Sequence, residues 1–261
     1  MPRTKRIISC VNVYHVIMRG NNKQDIFLER KDYIRFINIL KKYKQKYGYE
    51  IYCYILMTNH VHMIINCNDG NISQIIHSIA LEYSIYFNNK YERCGHVFQD
   101  RFKSKAVESQ AYLLNLQRYI HLNCVKAGID TIDKYEWSSY KEYIYNEQLC
   151  TTKTILNLFG NDEIEAKRNF IIFNNQPILS ANEEDIAEFE IKMKLTDEEA
   201  IQIINDILKR EKINKISNCS LTEKNKILKE CLEIRGISIR QIARILQIDR
   251  KQIKKIIKWT N

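Results

Sequence analysis

The chain has 261 residues, of which 45% are apolar and 28% charged, the balance of one or two folded domains and unlike a disordered chain. Seven glycines and two prolines exclude collagen-like and low-complexity architectures, and no apolar run approaches the roughly 20 residues of a membrane span. The net charge of +10 favours partners that carry phosphate, because each Lys or Arg set on a phosphate can release counterions.

The first 150 residues read as mixed α and β. Val11 to Met18 is a β-branched run ending at the turn Arg19-Gly20-Asn21. Tyr33, Phe36, Ile37, Leu40, Tyr43 and Tyr47 recur at helical spacing over 30–47, and Gly48 stops that helix. Residues 50–57 and 60–66 form two strands joined tightly at Thr58-Asn59. A second helix over 71–90 has Ile72, Ile75, Ile76, Ile79 and Tyr83 on its apolar face. A basic loop, Gly95 to Lys105, leads into a strand near 102–107. Ser109 then caps a helix that runs to Ala127 and ends at Gly128. The order β-α-β-β-α-β-α predicts an α+β fold, a ferredoxin-like antiparallel sheet with helices on one face.

Charge divides the remainder. Residues 1–150 carry 21 basic and 14 acidic side chains, 151–218 carry 9 and 13, and 219–261 carry 11 and 4. Two basic blocks thus flank an acidic one. The expected organisation is a mixed α and β domain at 1–148, an acidic helical connector at 149–218, and a small all-α extension at 219–261. Eight cysteines show no C-x-x-C pair, which argues against a zinc ribbon. With no secretory signal in MPRTKRIISC, they are expected to be buried, reduced thiols of a cytoplasmic protein.

The sharpest local feature is His60-Val61-His62 inside an apolar strand. Residues i and i+2 of a strand point the same way, so both imidazoles leave one face side by side. Alone, the pair fits either a metal site or a structural hydrogen-bonding role. His15 falls on a neighbouring strand, where a structural role is the simpler reading. Tyr119 and Asn123, at i and i+4, share a helical face. A phenol with its usual pKa near 10 is a poor nucleophile at neutral pH, and a divalent cation favours its phenolate while polarising a phosphate oxygen. Arg93, Phe98, Arg101, Phe102, Lys103 and Lys105 interleave charge with aromatics and suit a nucleic-acid backbone with an unpaired base stacked beside it. Arg19 and Lys23 are weaker candidates for the same contact.

Four stretches carry a resemblance. They are Tyr14 to Asn21 (YHVIMRGN), Met57 to His62 (MTNHVH), Gly95 to Ser104 (GHVFQDRFKS) and Arg118 to Gly128 (RYIHLNCVKAG). In this order and spacing they resemble the REP-associated tyrosine transposases, within the HUH single-tyrosine transposase superfamily, over about residues 8–145. The resemblance implies the HUH nuclease fold, His60, His62 and Asn123 as ligands of Mg²⁺ or Mn²⁺, and Tyr119 as nucleophile. It implies a transposase that cleaves and rejoins single-stranded or hairpin DNA through a 5′-phosphotyrosine. Cys124 stands where the family often has Pro, which would let the helix run on smoothly.

Residues 238–256 resemble a helix-turn-helix, with Ala243 at the helix crossing, Ile253 in the core, and Arg250, Lys251, Gln252, Lys254 and Lys255 facing duplex DNA. Gln247 occupies the turn position where Gly is common, because the turn needs positive φ. A cytoplasmic, nucleoid-associated monomer or homodimer is expected, with no membrane partner. A non-catalytic DNA-binding regulator and a replication-initiator-type nuclease are the competing readings.

Overall fold

A computed structural model describes residues 9–176, 197–211, 213, 216, 219–234, 237, 239–250 and 252–253. The chain divides into two compact units, Met1–Ile186 and Ala187–Asn261. In the first unit the order is β1 (Val13–Arg19), α1 (Arg30–Tyr47), β2 (Glu50–Met57), β3 (His60–Asn66), α2 (Ile72–Lys90), β4 (Lys103–Ala106) and α3 (Gln110–His121). The sheet order is β2-β3-β1-β4 and every adjacent pair is antiparallel, the ferredoxin-like arrangement the element order predicts.

The ends of these helices follow from local chemistry. The Asn71 side chain accepts from Ser73 N (2.8 Å) and Ser109 Oγ from Tyr112 N (3.2 Å), each satisfying an orphan donor of a first turn. Gly48, at φ 66°, closes α1 in the left-handed region. Gly20 has a different necessity: a Cβ there would meet Gln24 O at 2.0 Å. Its N–H donates to Asn59 O (2.8 Å), while Ile26 and Phe27 donate to Thr58 O. The segment after β1 therefore wraps the β2–β3 turn.

Both faces of the sheet are covered. Val16 and Met18 of β1, Leu56 of β2, and Val61, Met63 and Ile65 of β3 pack with Phe36, Ile39 and Leu40 of α1 and with Ile75, Ile79 and Tyr83 of α2. Val13, Cys53, Ile55, Met57 and Ile64 pack on the opposite side with Leu113, Leu116, Tyr119 and Ile120 of α3. Helices on one face only were expected, and this is corrected. The reason lies in β2 and β3: Ile55-Leu56-Met57 and Met63-Ile64-Ile65 are apolar on both sides, the pattern of strands buried twice.

Two further boundaries differ from expectation. The helix over 109–127 is not continuous: α3 ends at His121, Leu122 adopts φ −80° and ψ −2°, and α4 (Asn123–Lys126) follows. Cys124 does not smooth the helix, because the break precedes it; its thiol donates to His121 O (3.4 Å). The stretch 149–218 is divided between the units. Beyond α5 (Tyr140–Ile144), α6 (Lys153–Leu156) and α7 (Glu163–Asn175) bury Ile155, Leu156 and Phe170 in the core of α3, whereas α8 (Asp197–Arg210) belongs to the second unit. All eight cysteines are free thiols; Cys10 and Cys94 are exposed rather than buried.

In the second unit, α8, α9 (Leu221–Glu233) and α10 (Ile239–Leu246) share a core built from Ile204, Ile207, Ile227, Leu228, Cys231, Ile242, Leu246 and Ile253. Gln247 does take positive φ, 53°, so the turn after α10 has the left-handed geometry despite lacking Gly. Arg250 and Gln252 are exposed; Lys251, Lys254 and Lys255 lie outside the described residues. Among the described residues no helix is long and apolar enough to cross a membrane.

Two stability outcomes follow. Asp32 is fully buried and accepts from Leu28 N, Glu29 N, Tyr86 OH and Tyr91 OH at 2.7–3.0 Å, and it pairs with Lys90, so one carboxylate ties α1 to α2. Asp32→Ala strands these donors and should cost roughly 3 kcal/mol in denaturant melts. Gln247→Gly removes left-handed strain and should stabilise the second unit by about 1 kcal/mol, read as a raised transition midpoint.

Candidate functional site

The alternation of β3 sorts its side chains. Val61, Met63 and Ile65 enter the core with α1 and α2, so His60 and His62 point with Ile64 to the side covered by α3. The two imidazole centroids are 4.9 Å apart. Their δ nitrogens are both engaged: His60 Nδ1 is 2.6 Å from Asn59 Oδ1, and His62 Nδ1 is 3.2 Å from His15 Nε2. His15, for which a structural role was the simpler reading, thus touches His62 directly. The ε nitrogens are the atoms through which the two rings would ligate a cation, and that of His62 is buried.

Tyr119 lies in the cluster that also holds Ile55, Met57 and Ile64. In β-sheet register Ile55 faces His62 and Met57 faces His60. The phenol and the imidazoles therefore share one side of the sheet. Asn123 Nδ2 donates to Tyr119 O (3.0 Å), which turns its amide nitrogen back toward α3 and leaves the oxygen as the outward atom. Lys126, which the sequence did not single out, sets its Nζ 4.0 Å from the Tyr119 ring centroid.

Charge gathers on the same side. Arg19 is paired with His60, while Lys103 and Lys105 are paired with Ile17 and His15, and residues directly opposite in a ladder project to one face. Of the other candidates, Arg101 is exposed. Lys23 offers its backbone carbonyl to Asn59 Nδ2 (3.1 Å). Arg93 is held by Gln24 Oε1 (2.7 Å) and lies over the Phe87 ring. Phe98 and Phe102 are half-buried against the core on the opposite side of the sheet, so neither stands out as an open stacking platform; their apolar bulk went into packing instead.

Burial governs the protonation of the site. His62 is pushed down to about 3 by burial and then by Arg19. His60 falls well below its ordinary value through burial, then His62 and Arg19. His15 falls likewise through burial, then His62 and Lys105. All three rings are neutral at physiological pH, the state in which imidazole ligates a cation. Two neutral imidazoles 4.9 Å apart, each with its δ nitrogen engaged, have the chemistry of metal ligands; among the described residues no group of three or more His, Cys, Asp or Glu side chains is placed to hold a metal ion.

A further histidine is buried at the end of α3. His121 is fully buried, with Gln117 Nε2 at 2.6 Å from Nδ1 and Ser139 Oγ at 2.7 Å from Nε2. Its pKa is pushed down to about 3 by burial. No pattern in the sequence marks it, since its partners come from α3 and from the residue before α5. Unfolded, this ring titrates near 6.5, so below that pH the unfolded chain binds the extra proton. Its contribution to stability is whole above pH 6.5 and is lost as pH falls toward 3. Denaturant melts should show stability dropping between pH 7 and pH 5, and His121→Gln should shrink that drop by about 2 kcal/mol.

Residues 10–123 match the family described as Transposase IS200 like. None of the curated proteins matches the chain. Among solved structures, a REP-associated tyrosine transposase bound to a REP hairpin is similar at 18% identity and a TM-score of 0.48, over 55% of this chain and 86% of that one. A putative transposase from Deinococcus radiodurans is similar at 14% identity and a TM-score of 0.33, over 46% of this chain and 95% of that one.

Proposed function

We propose that the chain is a single-tyrosine DNA transposase of the REP-associated type, which cuts and rejoins single-stranded or hairpin DNA. The observation that carries this reading is the shared sheet side: neutral His60 and His62 on β3, with Tyr119 on the helix packed over that face and Asn123 one turn beyond it. Two of the four motifs singled out in the sequence, Met57 to His62 and Arg118 to Gly128, supply these residues.

Tyr119 Oη attacks the scissile phosphorus. A phosphotyrosine bond forms, the P–O3′ bond breaks, and the proton lost by the phenol is balanced by the one taken up at the new 3′-OH. One phosphodiester replaces another, so the step needs no ATP and is reversible by a second 3′-OH. A divalent cation, Mg²⁺ or Mn²⁺, held by His60, His62 and the Asn123 oxygen, would polarise a phosphate oxygen. Arg19, Lys103 and Lys105 meet the flanking phosphates from the same side, with Arg101 at the loop before β4. Positioning the phosphate in line with the phenol supplies much of the rate.

The second unit is assigned to duplex DNA. The left-handed turn at Gln247, the buried Ala243 and Ile253, and exposed Arg250 and Gln252 support a helix-turn-helix, with Lys251, Lys254 and Lys255 assigned to it from sequence alone. Tethering a duplex reader to the nuclease raises the local concentration of each for its own segment.

The test is covalent capture. Wild-type protein incubated with Mn²⁺ and hairpin single strands should form a denaturant-resistant adduct, and Tyr119→Phe should form none. No adduct with either protein leaves a DNA-binding regulator on this scaffold, and the catalytic reading fails.

A further inference from the structure

Asn59 occupies the turn between β2 and β3, next to the first histidine of the pair. Its side chain makes two contacts of opposite sense. Nδ2 donates to the backbone carbonyl of Lys23 (3.1 Å), and Oδ1 lies 2.6 Å from His60 Nδ1. A carbonyl can only accept, so the Lys23 contact fixes which end of the amide faces which way. The oxygen is then the atom that faces His60. An amide oxygen can only accept as well, so His60 Nδ1 must carry the hydrogen. In a neutral imidazole that leaves the lone pair on Nε2.

The carbonyl that orients the amide is itself held. Gly20 N donates to Asn59 O, and Lys23 N donates to Gly20 O (3.0 Å). Any side chain at Gly20 would collide with Gln24 O. The wrap after β1 is therefore what places Lys23 O at the β2–β3 turn.

We infer that Asn59 is a positioning residue that holds His60 as the Nδ1–H tautomer and so presents the Nε2 lone pair to a divalent cation. This rests on the reading of His60 as a metal ligand. Without Asn59 the neutral ring divides between two tautomers, and the one protonated at Nε2 does not ligate through that atom. Second-layer partners of ligating histidines are commonly worth 10–100-fold in metal affinity.

The experiment uses the full chain labelled with ¹⁵N-histidine, metal-free near pH 7.5, and reads the tautomer of each ring from long-range proton–nitrogen correlations. His60 should show the Nδ1–H form in the wild type. Asn59→Leu should abolish that preference at His60 while leaving the His62 pattern, set by His15, unchanged. Asn59→Asp keeps an acceptor oxygen and should restore it. Mn²⁺ titration by calorimetry should show affinity weakened about 10–100-fold in Asn59→Leu and recovered in Asn59→Asp, with His60→Ala as the reference for loss of the ligand itself. An Nε2–H signal at His60 in the wild type overturns the inference whatever the variants do. So does an Asn59→Leu protein that keeps both the Nδ1–H signal and the wild-type Mn²⁺ affinity. The tautomer and Mn²⁺ measurements use no DNA, so a missing Tyr119 adduct beside intact tautomer and affinity results contradicts the nuclease reading alone.

Discussion

Alternation along β3 is the constraint on which the site depends. Val61, Met63 and Ile65 face one buried layer, and His60, His62 and Ile64 face the other. A slip of one residue would bury the imidazoles among Phe36, Ile79 and Tyr83 and turn Val61 and Met63 toward α3. Such a slip is opposed on both sides. β3 is the neighbour of β1 and of β2, and its register with both is continuous through the histidines. The outer edge of β2 is closed as well, since Leu56 N donates to Trp137 O and Ser139 N donates to Tyr54 O. Both rings thus stand on a strand that is hydrogen-bonded along both of its edges.

The same burial that fixes the rings keeps them chemically available. Desolvation disfavours the imidazolium form, and Arg19 adds to that effect at both His60 and His62. A cationic side chain beside a metal site would ordinarily compete with the metal. Arg19 helps to keep both rings unprotonated, and under the proposed function the same charge would also meet a substrate phosphate.

Much of the fold was legible because periodicity and punctuation agreed. Gly48, Asn71 and Ser109 mark helix ends that the structure reproduces, and the paired strands joined at Thr58-Asn59 stand where the apolar runs put them. What could not be read came from long-range packing. Nothing in 149–175 announces that Ile155, Leu156 and Phe170 complete the core behind α3, because an apolar helical face does not name its partner. Phe98 and Phe102 look like base-stacking residues until Tyr83 is found beside Phe98. Asn59 was hidden for the opposite reason: as a turn residue it already had a sufficient explanation. That His60 and His62 share a strand face, and that Tyr119 and Asn123 lie a turn apart, was legible; which side of the sheet the Tyr119 helix covers was not, since no local pattern says which face a distant helix covers.

The central claim is that the phenol of Tyr119 is the group that takes the DNA strand. It is tested most directly by trapping the protein on a hairpin single strand with Mn²⁺, digesting with trypsin, and locating the nucleotide-bearing peptide by mass. Trypsin cuts after Arg118 and after Lys126, so the account predicts that the modified peptide is residues 119–126, with the added mass on Tyr119. Nucleotide mass on any other peptide, the 119–126 peptide being recovered unmodified, would contradict it.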